Sequence, residues 1–160
     1  EWPEFGDAES LYKQGVQMSF EENGLSASEV DAYLASGKKP VAVEIAGYSA
    51  PVPTQETTEF SGSNEETLAK IMIQKWIALY PNGQEAWTEW RRTGYPKLNQ
   101  VKENRGAGQG ITKEKGIRRM VYPISFSQSA EDKANYDDAV SKLKDKVDKA
   151  TSRLWWDARN

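Results

Sequence analysis

The stretch that most constrains this 160-residue chain is Ser63–Tyr80. Ser63-Asn-Glu-Glu66 has the spacing of a capping box, in which a serine and a glutamate three residues on satisfy each other's exposed backbone N–H groups. Leu68, Ile71, Met72, Trp76 and Leu79 then recur at steps of three, one, four and three, which puts them on one helical face. Ile73, Ile77 and Tyr80 widen that stripe past half the circumference, so the pattern predicts a central helix. Pro81-Asn82-Gly83 forces a tight turn, and Gln84–Thr93 reads as a second helix that Gly94 and Pro96 terminate.

The flanks extend the same theme. From Asp7 to Asn23, Leu11, Tyr12, Met18 and Phe20 sit among polar residues, with Asp7 able to cap the first turn and Gly24 suited to a left-handed stop. Ser26-Ala-Ser-Glu29 is a further capping box, Val30, Tyr33 and Leu34 share a face, and Gly37 ends the segment. Two helices joined by so short a turn predict a helical hairpin. From Lys38 to Gly62 the helical signal vanishes, and Pro40, Pro51 and Pro53 with Val41-Ala-Val43 and Ile45 read as extended chain and loop. Asn99–Gly116 is rich in Gly, Lys and Glu and predicts an exposed, mobile loop; Ile117–Pro123 is extended chain again. Tyr136, Val140, Leu143, Val147, Ala150 and Leu154 recur at helical steps, with Asp138–Lys142 and Asp145–Lys149 as supporting pairs, so a long last helix is expected. The reading is a mainly α chain of helical pairs with long extended loops and little β, residues 1–160 forming a single region.

Chemistry is narrowed by two absences. The chain has no Cys and no His, which removes thiol and imidazole nucleophile–base systems, the Ser–His–Asp triad, and thiolate or imidazole metal sites. An isoelectric point near 5.2 argues against nucleic acid as a partner. Apolar runs such as Val41–Ala46 and Ile71–Leu79 fall far short of the roughly 18 residues of a membrane helix. Gly106-Ala-Gly108-Gln-Gly110 lacks a third glycine at the dinucleotide spacing, with Ile111 in its place. Asp132, Asp137, Asp138, Asp145 and Asp148 follow no calcium-loop pattern and read as a solvated face. Glu85 and Glu89 lie one helical turn apart, with Arg92 three residues beyond Glu89, and read as a structural pair. No catalytic residue, metal ligand or cofactor motif is assigned.

The most distinctive residues are the aromatics and arginines between Lys75 and Pro96. Trp87, Trp90 and Arg91 fall on one helical face, so Arg91 can stack on Trp87, while Arg92 points nearer Glu89. Lys75-Trp76-Ile-Ala-Leu-Tyr80-Pro-Asn-Gly-Gln-Glu-Ala-Trp87, running into Trp90-Arg91-Arg92-Thr-Gly94-Tyr95-Pro96, resembles the C-terminal signature of the SusD/RagB family. Asp7 to Phe20 is similar to a helix of that family, and Tyr48-Ser-Ala-Pro51 to a Tyr–Pro loop. Ile117–Pro123, Asn135-Tyr136 and Arg153-Leu-Trp155-Trp156-Asp157 are similar to its closing region.

That resemblance implies a helical fold related to tetratricopeptide repeats. It also implies non-enzymatic capture of a glycan or other nutrient at the outer-membrane surface. The protein would then deliver its ligand to a TonB-dependent, SusC-like transporter. Its membrane contact would be only a lipid anchor upstream of this chain, which would correspond to the C-terminal part of a longer protein. Sugar rings stack their C–H faces on aromatic side chains, so tryptophan clusters suit a glycan platform, and they suit a buried core equally well. Trp76, Trp87, Trp90, Arg91, Arg92 and Trp155 are assigned to the structural motif, and at least one of Trp155 and Trp156 is expected to pack, since neighbours diverge. Trp2 and Tyr48, in loop-like context, are the candidates for ligand contact. The alternative is a helical interaction module, with residues 64–80 docking on another protein.

Overall fold

The computed structural model describes residues 6–99, 103, 105–112, 115–157 and 159. It is mainly helical: α1 (Ala8–Glu22), α2 (Ala27–Ala35), α3 (Asn64–Ala78), α4 (Gly83–Thr93), α5 (Ile124–Gln128) and α6 (Lys133–Ser141). A two-residue-per-strand hairpin, β1 (Glu44–Ile45) and β2 (Tyr48–Ser49), pairs antiparallel with Glu44 opposite Ser49. The chain gathers into two compact units. The first is Glu1–Trp90 with Tyr95–Asn99, and the second is Arg91–Gly94 with Gln100–Asn160.

The first unit follows its local signals. Asp7 accepts from Ser10 N–H at 3.0 Å and starts α1. Gly24, at φ 74°, ends it, with Leu25 N–H donating to the Phe20 carbonyl at 2.9 Å, so that a left-handed residue satisfies the last carbonyls. Ser26 N–H donates to the Glu29 carboxylate at 2.7 Å, and Ser63 N–H to that of Glu66 at 2.7 Å. Those bonds hold both glutamates below the usual carboxylate range. Tyr12, Val16 and Val30 form a core under Phe20, Tyr33, Leu34, Phe60 and Ile71, and a second cluster joins Ala69, Met72 and Tyr95. The 38–62 segment is tied down by hydrogen bonds rather than by pattern. Tyr12 donates to the Thr58 carbonyl at 2.8 Å, Thr58 Oγ1 to the Tyr33 carbonyl at 3.0 Å, and Lys70 Nζ to the Ser61 carbonyl at 2.9 Å. Burial pushes the Tyr12 phenol up to about 12.

The second unit departs from its periodicity. The long last helix stops at Ser141, Lys146 takes a left-handed φ of 54°, and residues 142–157 proceed through turns. The reason is tertiary. The Ala150 carbonyl accepts from Arg118 N–H at 2.7 Å and from Arg119 N–H at 3.2 Å. Ser152, fully buried, donates to the Val147 carbonyl and lies 3.0 Å from Asp145, which therefore meets Ser152 and not Lys149 as an i,i+4 partner. Part of the expected 99–116 loop lies outside the described residues. Within it Ala107–Gln109 form one 3-10 turn, and Gly110, at φ 75°, tucks so close that a Cβ there would stand 2.9 Å from Thr151 Oγ1.

Candidate functional site

The signature block folds around the reversal from α3 to α4. Tyr80 N–H donates to the Ile77 carbonyl at 3.2 Å, Gly83 N–H to that of Pro81 at 2.9 Å, and Asn82 N–H to that of Leu79. Asn82 also caps α4, its Oδ1 accepting from Glu85 N–H at 3.2 Å. Lys75 lies 3.5 Å from Glu85 and 3.3 Å from Glu89, so the two carboxylates share an ammonium. A groove of about 390 Å³ opens at this turn. Ala86 is buried and Trp76 and Leu79 half-buried in its floor, whereas Ile77 is 57% and Tyr80 88% exposed at its rim. The α3 stripe is thus buried at Met72 and Ile73, half-buried at Trp76 and Leu79, and exposed at Ile77 and Tyr80.

Trp87 and Trp90 are half-buried like Trp76, Arg91 is buried, and Arg92 is exposed. In the second unit the Arg91 guanidinium lies 4.7 Å over the Trp156 ring and donates to the Arg118 carbonyl at 2.8 Å. Asp157, 1% exposed, lies 3.4 Å from Arg118 Nε and 3.7 Å from Arg153. Burial lowers the pKa of Arg91 and of Arg118, and the Asp157 charge opposes that shift. Arg119 pairs with Asp148 and stacks 4.6 Å over Tyr122, and the Tyr136 hydroxyl donates to Asp148 at 3.3 Å. Burial, with the Asp148 charge, raises the Tyr136 pKa. These carboxylates are occupied by arginines, a structural arrangement. Among the described residues no three metal-ligating side chains gather.

Several sequence assignments move. Trp155, counted in the structural motif, is instead 88% exposed; the Asp157 N–H to Leu154 carbonyl turn sends the two indoles apart, and Trp156 does the packing. Trp2 lies outside the described residues, as does the side chain of Tyr48, whose backbone forms β2. Asp148 and Asp157 were missed as partners of Arg119 and Arg118, because those arginines lie on a remote, non-periodic segment.

The family model described as SusD-like, the SusD and RagB outer membrane lipoproteins, matches residues 1–157. No curated protein matches the chain. A SusD homologue from Bacteroides ovatus is 37% identical with a TM-score of 0.83, over 96% of this chain and 33% of that one. One from Bacteroides thetaiotaomicron is 35% identical with a TM-score of 0.84, over 99% and 35%. A chitin-binding SusD homologue from Flavobacterium johnsoniae is 35% identical with a TM-score of 0.82, over 97% and 32%. The chain therefore spans about a third of the length of the structures it matches. Among the described residues no helix is long and apolar enough to cross a membrane. With the family model covering nearly every residue and the fold shared along the whole alignment, this chain belongs to the SusD/RagB family of outer membrane lipoproteins.

Proposed function

We propose that the protein captures a glycan at the outer-membrane surface and passes it, unmodified, to a TonB-dependent transporter of the SusC kind. The observation that carries this reading is the 35% identity, with a shared fold, to a SusD homologue described as chitin-binding. Arginine-paired carboxylates supply packing, and half-buried tryptophans offer apolar faces of the kind sugar rings stack on. Trp2 and Tyr48 are proposed as ligand contacts within that role.

The test is native electrophoresis through gels containing soluble polysaccharides, together with a reducing-sugar assay and co-purification from the outer membrane. Retardation without released reducing ends, and a TonB-dependent transporter in the co-purified material, are the expected results. Reducing ends appearing at an enzyme-dependent rate would overturn the binding-only reading. Trp2→Ala and Tyr48→Ala migrating as wild type would remove those residues from it.

A further inference from the structure

The groove at the α3–α4 turn joins three features. The Tyr80 ring is 88% exposed, yet it is held in the closed turn between Ile77 and Gly83. No hydrogen bond to its hydroxyl is found among the described residues. Asn82 is oriented by its cap: Oδ1 accepts from Glu85 N–H at 3.2 Å, and no hydrogen bond from Nδ2 is found among the described residues. Beneath them lies an apolar floor of Trp76, Leu79 and Ala86 in a space of about 390 Å³.

We propose that this groove is a subsite for a pyranose ring of an uncharged glycan, with Tyr80 as the stacking face and Asn82 Nδ2 donating to a ring hydroxyl. This rests on the glycan-capture reading and places a contact in residues that reading leaves unassigned. Three arguments select the occupant. An exposed aromatic face above an apolar floor, with fixed amide donors at the rim, matches a sugar ring, whose C–H face is apolar and whose edge is hydroxylated. The volume lies near the small end of the roughly 300–1,000 Å³ of ligand pockets, enough for a ring or two. Eight lining residues are far fewer than the roughly 20–30 per side of a stable protein interface. Charge selects the subclass. None of the eight lining residues is charged, so a uronate or sulfated sugar meets no cation in the lining.

The experiment is affinity electrophoresis of the chain through glycol chitin, starch and xylan, with polygalacturonate as the anionic comparison. Wild type is set beside Tyr80→Ala, Tyr80→Trp, Asn82→Asp and, as a control in the other unit, Trp155→Ala. Asn82→Asp keeps the capping oxygen and removes only the donors. Tyr80 is 88% exposed, so its loss should leave the fold intact, and an unchanged thermal midpoint would verify this. The expected result is retardation by at least one uncharged polysaccharide. Tyr80→Ala then weakens binding about tenfold, Asn82→Asp about two- to tenfold, and Tyr80→Trp restores it. Retardation that persists in Tyr80→Ala and Asn82→Asp overturns the subsite while the glycan reading stands. Retardation by polygalacturonate alone overturns the uncharged class. Retardation by none of the four overturns both. If Tyr80→Ala binds glycan normally but loses the co-purified transporter, the groove is a protein-docking face and not a sugar site.

Discussion

The two units differ in what they choose to bury. In the first, Tyr12, Val16, Val30, Ala69, Met72, Ile73, Ala86 and Tyr95 are shielded, beside the polar Thr54, Thr58 and Lys70. In the second, the shielded residues among those described are Arg91, Thr93, Arg119, Ser152 and Asp157, with Leu143 and Ala150 as apolar company. Apolar burial contributes roughly 25 cal/mol per Å² whatever lies opposite, so it tolerates imperfect register. Buried ion pairs gain little net energy when complete and are expensive when halved. The second unit should therefore be the more specific in geometry and the more brittle to a single charge deletion.

The largest expected effect tests that brittleness. Asp148→Ala leaves Arg119, itself 6% exposed, without its carboxylate and takes away the acceptor of the Tyr122 N–H and the Tyr136 hydroxyl. A loss of about 3–5 kcal/mol is expected, read by urea unfolding with tyrosine and tryptophan emission. The double change Arg119→Met with Asp148→Leu should recover most of that loss. A double variant as unstable as the single one would show that the pair itself, and not the orphaned charge, carries the stability. In the first unit Met72→Ala, at a site 3% exposed, should cost about 2–5 kcal/mol, with hydrogen-exchange protection falling first in α3. Raising the salt concentration should leave the Met72→Ala deficit unchanged, because no charge is involved.

This contrast also explains which parts of the molecule could be read from the amino acids. α2 and α3 announce themselves because the capping glutamates sit three residues from their serines, α1 through Asp7 and Gly24, and α4 through the Pro81-Asn82-Gly83 turn before it. The second unit pairs Arg119 with Asp148 and Arg91 with the Arg118 carbonyl, at separations of 29 and 27 residues. No period connects such positions, so the apolar steps from Tyr136 to Leu154 spelled a helix that the arginine contacts at Ala150 and Asp148 dissolve after Ser141. The site was legible in the same uneven way. The Trp76–Pro96 block identified the family, but the exposure of Tyr80 and Trp155 depends on turns whose geometry no residue count reveals.

A smaller effect distinguishes local from remote carboxylates. Glu29 and Glu66 have pKa values depressed by hydrogen bonds from Ser26 and Ser63, first from the backbone N–H and then from the hydroxyl. A group whose folded pKa lies below its unfolded value contributes stability that is present above the unfolded pKa, about 4.3 for Glu, and lost as pH falls through the folded pKa. Acidifying below about 4.3 should therefore loosen the starts of α2 and α3, and the Glu29→Gln, Glu66→Gln double variant should show a shallower acid dependence in that window. At neutral pH, Ser63→Ala should cost about 0.5–2 kcal/mol, measured by the shift in urea midpoint at unchanged slope.

The smallest effect sharpens the comparison within the second unit itself. Lys142 and Asp138 approach to 2.6 Å, but their side chains are 71% and 63% exposed. Each keeps most of its hydration, so little is lost when the partner goes, and salt screens what attraction remains. Lys142→Ala should shift stability by only about 0.3–0.5 kcal/mol, vanishing in 1 M salt. The Asp148→Ala penalty should survive the same salt, because Arg119 and Asp148 are screened far less behind Tyr122. A Lys142→Ala penalty as large as that of Asp148→Ala would mean that α6 holds the unit by its surface charges. Burial, not the closeness of the charges, would then no longer separate the two pairs.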